Sequence, residues 1–193
     1  MTDSTLSQLV ALLAERSAKR GDFVLASGRR SSLYIDCRLT AMSPEGQLLI
    51  GRAGLADLHA SGWTVDAVGG LTLGADPIAY AIAHASALAH ERGEGPLVRA
   101  FTVRKEAKAH GTGKLIEGPF RAGDRVVVVE DVITTGGSAL KAVAAVRQAG
   151  GEVLGVLALV DREEGGREAL QAAGLEVRAL VSASQLLPLL PAV

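Results

Sequence analysis

The chain has 193 residues, 48% of them hydrophobic and 21% charged, which suits one globular domain able to bury its own core. With 20 Lys and Arg against 21 Asp and Glu the formal net charge is −1, so no global field draws the chain to nucleic acid or to an anionic membrane, and any anion site must be local. Aromatic residues make up only 3%, too few for a platform that stacks single-stranded bases. The single cysteine, Cys37, leaves no internal disulfide and reads as a small buried apolar residue in a reducing cytoplasm. No apolar run approaches the roughly 18 residues of a membrane span. The N-terminus, broken by Asp3, Glu15, Arg16, Lys19 and Arg20, is not expected to be a targeting segment.

In chain order, residues 5–18 repeat Leu6, Leu9, Val10, Leu12 and Leu13 at helical spacing behind Ser4 or Thr5 as a cap, and predict a helix. Residues 22–38 break into short apolar pieces around Ser27-Gly28 and Ser31-Ser32, the pattern of a hairpin or irregular strands. Helical periodicity returns over 43–61, with Pro44 where a first helical turn tolerates it. From there strands are predicted at 65–69, 97–103, 125–129, 153–160 and 175–181, and helices at 76–91, 138–149 and 166–173, the last two stopped by Gly150-Gly151 and Gly174. Short, nearly continuous apolar runs alternating with helices predict an α/β fold, a parallel sheet covered on both faces. The first forty or so residues read as a small flap on that core.

The strongest local signal is the run Val126-Val127-Val128-Val129-Glu130-Asp131-Val132-Ile133-Thr134-Thr135-Gly136-Gly137-Ser138. It reads as a buried strand ending in two acids, then a turn that opens into a helix. Ligands in open α/β sheets bind beyond the carboxyl ends of strands. Here the turn's N–H groups, the hydroxyls of Thr134, Thr135 and Ser138, and the positive end of the following helix form a cradle for a phosphate. A phosphate would repel Glu130 and Asp131, whereas the vicinal hydroxyls of a ribose would donate to them, so the pair of features fits a ribose 5-phosphate. The Gly-x-x-x-x-Gly-Lys-Ser/Thr spacing of a nucleoside-triphosphate loop is absent.

A second constellation places Arg104, Lys105, Lys108, His110 and Lys114 within eleven residues after a predicted strand. Alone it is a solvated charge run; beside a phosphate cradle it reads as a lid over a pyrophosphate. Arg162, just past the strand at 153–160, is either a salt-bridge residue or a planar fork for a carboxylate.

The run 126–138 resembles the signature with which type I phosphoribosyltransferases bind phosphoribosyl pyrophosphate (PRPP), and Arg104-Lys105-Glu106-Ala107-Lys108-Ala109-His110-Gly111 is similar to the flexible loop of the orotate phosphoribosyltransferases. Phe23 to Arg29 with Ser31 and Tyr34-Ile35-Asp36 resembles that family's N-terminal hood, and Gly69-Gly70-Leu71-Thr72-Leu73-Gly74 its pyrophosphate loop. The resemblance spans about residues 20–185. It departs at Ala26 and Leu73, where many members carry lysines.

This resemblance implies a type I phosphoribosyltransferase-like fold, a central mostly parallel sheet flanked by helices, in a single domain. Its hood would comprise about residues 1–40 plus C-terminal residues, and its core about 41–181. It implies Glu130 and Asp131 on the ribose hydroxyls and Val132, Ile133, Thr134, Thr135, Gly136, Gly137 and Ser138 around the 5′-phosphate. Arg104, Lys105, Lys108 and His110 would meet the diphosphate, with Lys108, Arg104, His110 and Asp131 as the catalytic set. Orotate would lie on Thr134, Arg162 and the chain near Tyr34. Mg²⁺ would arrive on PRPP, with no ligand directly from the protein. The family also implies a homodimer whose lids are shared between subunits, which the few apolar anchors in segment 104–114 suit. The expected activity is transfer of phosphoribosyl from PRPP to orotate in pyrimidine synthesis. A purine or uracil phosphoribosyltransferase and a PRPP-sensing regulator remain the alternatives, the regulator disfavoured by the intact lid and the lack of a basic recognition face.

Overall fold

The computed structural model describes residues 2–24, 30–106 and 115–191. Its centre is a six-stranded sheet built from β3 (Ala67–Leu71), β4 (Arg99–Val103), β5 (Ile116–Glu117), β6 (Arg125–Ile133), β7 (Glu152–Asp161) and β8 (Val177–Ser182), in the order β5-β4-β3-β6-β7-β8. All neighbours are parallel except β4 and the short β5. The reason is legible in β6, where Val126 to Val129 are all fully buried. Val127 and Val129 join one apolar cluster and Val126 and Val128 the other, so successive side chains feed cores on opposite faces.

One face is covered by α1 (Thr2–Arg16), α3 (Pro44–Ala60) and α4 (Ala75–Glu91), which contribute Leu9, Leu13, Ile50, Leu58, Ile78 and Ile82. The other is covered by α5 (Gly137–Gln148) and α6 (Gly166–Ala172) through Ala139, Ala142, Val143, Val146 and Leu170. Each large side chain buried this way contributes roughly 1.5–3 kcal/mol. α3 starts where the sequence placed it: Ser43 accepts from the N–H of Gly46 and Pro44 occupies the first turn.

The hairpin expected near the N-terminus consists of β1 (Ala18–Val24) and β2 (Arg30–Ile35), antiparallel and separate from the main sheet. The four-residue helix α2 (Arg38–Ala41) follows it. Arg20 donates to the carbonyl of Leu187, joining the hairpin to the C-terminal segment of α7 (Ala183–Leu186) and a 3-10 turn. Leu9 and Leu13 of α1 lie in the same cluster as α3 and α4, so the first helix packs on the core itself.

The principal difference from the sequence reading is the length of β6. The apolar run stops at Val129, yet the strand continues through both acids to Ile133. Its partner β7, ten residues against nine, runs alongside it to the end, and Glu130, Val132 and Ile133 pair with Ala158, Val160 and Asp161. Backbone pairing is indifferent to side-chain charge, so an acidic dipeptide extends the ladder where a neighbour lies alongside.

Candidate active site

From β3 the chain crosses to β4 on one side of the sheet, then to β6 on the other. The strand order reverses between β3 and β6, and in open α/β sheets ligands bind beyond the carboxyl ends of the strands at such a point. Four strand ends supply this edge: the 72–74 turn after β3, Arg104 after β4, the 130–138 run of β6 and its turn, and Arg162 after β7.

The turn after β6 is shaped by Gly136, whose φ of 79° lies in the left-handed region. A side chain there would also meet Leu170 at 3.0 Å and the carbonyl of Gly166 at 3.1 Å. Only glycine suits both constraints. Gly136 caps α5 without a side chain, which leaves the first N–H groups of this 12-residue helix without a side-chain acceptor from their own cap. Thr135, Gly137 and Ser138 are exposed, Thr134 is half-buried, and a Cβ on Gly137 would meet only Thr135 Oγ1, at 3.7 Å. The glycine turn expected from the sequence is therefore present and open at Gly137, with Val132 and Ile133 as its strand lead-in.

The two acids differ. Glu130 is 6% exposed, its Oε2 has no hydrogen-bond partner among the described residues, and burial followed by the negative charge of Asp131 pushes its pKa up to about 9. At neutral pH it is a carboxylic acid that can donate as well as accept. Asp131 is half-buried and lies directly against the 72–74 turn: a Cβ on Gly74 would fall 2.5 Å from its Cγ. Its Oδ1 accepts from the N–H of Val132 at 2.9 Å.

The 72–74 turn is held from its other side by Asp76. Thr72 Oγ1 donates to Asp76 Oδ2 at 2.5 Å and Thr102 Oγ1 donates to Oδ1 at 2.9 Å. The Thr102 proton being committed, Tyr80 donates its own to Thr102 at 3.0 Å. The N–H of Thr72 also donates to the carbonyl of Val103, immediately before Arg104. The turn and the root of the basic segment are thus one hydrogen-bonded unit. Leu73, at the family's lysine position, is 61% exposed. Sequence reading missed Asp76; an acid in the first turn of a helix that follows a glycine turn was the available signal.

Arg162 is buried, its side chain 5% exposed. Its backbone N–H donates to the carbonyl of Ile133, which fixes it beside the phosphate turn. Nη2 donates to Ser31 Oγ at 2.7 Å and to the carbonyl of Leu33 at 2.8 Å, and pairs with Glu164 at 2.8 Å. Its Nε is buried with no partner among the described residues. A surface salt bridge, the bland alternative, does not describe such a residue. A buried Nε–H without an acceptor is uncommon in a folded protein and sets Arg162 apart from an ordinary surface ion pair. Tyr34, 41% exposed, packs on Phe23 with ring centroids 5.4 Å apart, and the hairpin that carries it is the same one that supplies Ser31 and Leu33.

At the mouth, Asp36 and Arg38 pair through two bonds of 2.8 Å, which lowers the carboxyl and raises the guanidinium. Buried Cys37 lies between them in sequence, its Sγ 3.6 Å from the carbonyl of Asp131, and burial raises its thiol well above the usual range. Of the basic segment, Arg104 is half-buried 3.7 Å from Glu117, and Lys105 is exposed. Lys108 and His110 lie outside the described residues, as does Ala26.

The chain is a member of the phosphoribosyltransferases: the family model for the phosphoribosyl transferase domain matches residues 47–173, which take in the 72–74 turn, both acids and the glycine turn before α5. The chain is 47% identical over 181 residues to the orotate phosphoribosyltransferase of Rhodopirellula baltica, covering 92% of this chain and 91% of the relative. It is 48% identical to that of Aquifex aeolicus, covering 93% and 96%. A crystal structure of the Mycobacterium tuberculosis orotate phosphoribosyltransferase in complex with PRPP superposes with a TM-score of 0.75 at 38% identity, covering 95% and 92%. The chain belongs to the orotate phosphoribosyltransferase family.

Proposed function

We propose that this protein transfers the 5-phosphoribosyl group of PRPP to orotate, giving orotidine 5′-monophosphate and pyrophosphate. The observation that carries the reading is the buried Arg162 with its unused Nε, placed beside the phosphate turn: orotate differs from neutral bases by its exocyclic carboxylate. In this reaction a ring nitrogen of orotate bonds to C1 of the ribose as the bond from C1 to the diphosphate oxygen breaks, through a transition state with positive charge on the sugar. No covalent nucleophile from the protein is required, so the work is alignment, charge stabilisation and exclusion of water.

In this reading the 134–138 turn and the N-terminus of α5 hold the 5′-phosphate, and Asp131, with neutral Glu130 beneath it, engages the ribose hydroxyls. The 72–74 turn receives the diphosphate, and Arg104, Lys105, Lys108 and His110 draw over it to balance the charge of the leaving group. Thr134, Arg162 and the chain near Tyr34 hold orotate. Mg²⁺ accompanies PRPP, because a small hard cation prefers phosphate oxygens and waters to an all-protein cage, and it supplies charge neutralisation on the diphosphate. The oxygens of Asp131, half-buried against Gly74, suit such an ion's outer sphere. The working form is a cytoplasmic homodimer in which each lid completes the neighbouring site.

The test is direct. Incubated with PRPP, Mg²⁺ and a panel of bases, the protein should consume orotate, followed by its absorbance, with equal release of pyrophosphate. Preference for a purine or for uracil would overturn the assignment.

A further inference from the structure

We propose that Asp76 is a positioning residue for the diphosphate end of PRPP: it holds the 72–74 turn and the root of the basic segment at one fixed spacing, so that both meet the leaving group together. The inference rests on the reading of this site as one that uses PRPP.

The turn and the end of β4 are joined twice. The first join is made by the backbone: pairing of β3 with β4 ends at Leu71 and Val103, and the N–H of Thr72 then donates to the carbonyl of Val103 at 2.9 Å. Beyond that bond the turn leaves the sheet, and Leu73 is exposed. The second join is Asp76, whose Oδ2 accepts from Thr72 Oγ1 at 2.5 Å and whose Oδ1 accepts from Thr102 Oγ1 at 2.9 Å. A carboxylate offers two acceptor oxygens and no donor, which suits two hydroxyls that each have a proton to place. Both donors of Thr72, its N–H and its hydroxyl, are thereby used inside the protein, so Thr72 serves as a strut and not as a phosphate ligand.

Asp76 is itself firmly placed. It lies in the first turn of α4 among Ala75, Pro77 and Ile78, all buried, and Gln47 of α3 donates to the carbonyl of Pro77 at 2.8 Å. On its far side the turn abuts Asp131, since a Cβ on Gly74 would fall 2.5 Å from the Asp131 Cγ. The same join reaches the basic segment. Thr102 and Val103 end β4, Arg104 follows directly, and the N–H of Arg104 donates to the carbonyl of Leu115 at 2.8 Å, so the chain on either side of 105–114 is tied together.

Without Asp76 the hydroxyls of Thr72 and Thr102 lose their acceptor, and the turn keeps a single backbone bond to β4. The two segments that receive the diphosphate could then drift relative to one another, and a misplacement of about 1 Å costs about 10²-fold in rate.

The experiment compares wild type with Asp76→Ala, Thr72→Val and Thr102→Val in the full chain with Mg²⁺. Two inhibitors divide PRPP between them: pyrophosphate carries the diphosphate end, and ribose 5-phosphate carries the sugar and its phosphate. For Asp76→Ala we expect kcat/KM for PRPP to fall about 10- to 100-fold and inhibition by pyrophosphate to weaken about 10-fold. Inhibition by ribose 5-phosphate and the orotate KM should stay within about twofold of wild type. The two valine variants keep the carboxylate and lose one bond each, so they should show the same pattern at smaller size, and Thr72→Ser should restore the contribution of Thr72. Equal weakening of both inhibitors would make Asp76 a general support of the fold, and unchanged inhibition by pyrophosphate would mean that the turn keeps its place without it; either result overturns the proposal. Should Asp76→Ala fail to fold, the valine variants decide on the same criteria. A wild type that binds neither PRPP nor ribose 5-phosphate would defeat the functional reading itself, and the inference with it.

Discussion

Gly74→Ala isolates one contact of the site. Gly74 has φ −60° and ψ −44°, an ordinary helical conformation, so alanine is tolerated by the backbone. Its Cβ, however, would lie 2.5 Å from Cγ and Oδ2 of Asp131 and 2.6 Å from Oδ1. Relief to an ordinary contact of about 3.4 Å moves the carboxylate by about 1 Å, which also breaks its bond to the N–H of Val132. Displacing a positioning group by that distance costs about 10²-fold in rate, or about 2.7 kcal/mol of transition-state stabilisation. One lost hydrogen bond costs the fold about 1 kcal/mol, a Tm decrease of roughly 2–4 °C for a domain of this size. Initial rates against PRPP at saturating orotate, calorimetric titration with PRPP and a melting curve measure all three. Should kcat/KM for PRPP stay within about threefold of wild type, Asp131 would not be the group that steadies the ribose. A large fall in Tm accompanying the loss of activity would place the effect in the fold and defeat the reasoning equally.

Three further outcomes are expected. Glu130 has a folded pKa of about 9 against 4.5 ordinarily, so between these values folding takes up a proton and stability falls as pH rises, by up to about 1.4 kcal/mol per pH unit. Glu130→Gln should flatten the decline of Tm between about pH 5.5 and 8.5, and a decline as steep as that of wild type would contradict the buried neutral acid. Arg162→Ala should raise the orotate KM at least about 30-fold, the lower end for breaking a buried charged contact, while PRPP binding measured by calorimetry changes far less. Equal losses for both substrates would remove Arg162 from the base site. Finally, Lys108→Ala and Asp131→Asn subunits, each nearly inactive, should regain activity on mixing toward half of wild type per heterodimer, because one site would then carry both lesions and the other neither. No recovery despite demonstrated exchange would mean that each lid serves its own subunit.

Much of this architecture is dictated locally. Four consecutive buried valines make β6 a central strand whatever surrounds it, and Ser43-Pro44 starts α3 through its own cap and fixed φ. The turn from Thr134 to Ser138 needs Gly136 for its left-handed residue, so the shape of this strand-to-helix turn is written in adjacent residues. The run of basic residues from Arg104 likewise needs no partner to be recognised. Such features depend on neighbours in sequence, and their periodicity or turn chemistry exposes them directly.

Other features exist only where distant segments meet. Extension of β6 through Glu130 and Asp131 is decided by the length of β7, and the neutrality of Glu130 by how deeply that extension is buried. β5 is two residues long and forms only because β4 offers an edge. Asp76 acquires its role from Thr72 and Thr102, and Gly74 from Asp131, through approaches that no periodicity encodes. From sequence Arg162 could be a surface salt-bridge residue or a buried fork; its burial, its bonds to Ser31 and Leu33 of the hairpin and the lack of an acceptor for Nε among the described residues are decided by the fold. Hydrogen bonding and charge compensation are satisfied in space, and desolvation magnifies them there, so residue type and spacing could nominate these groups but only the assembled fold could assign their partners.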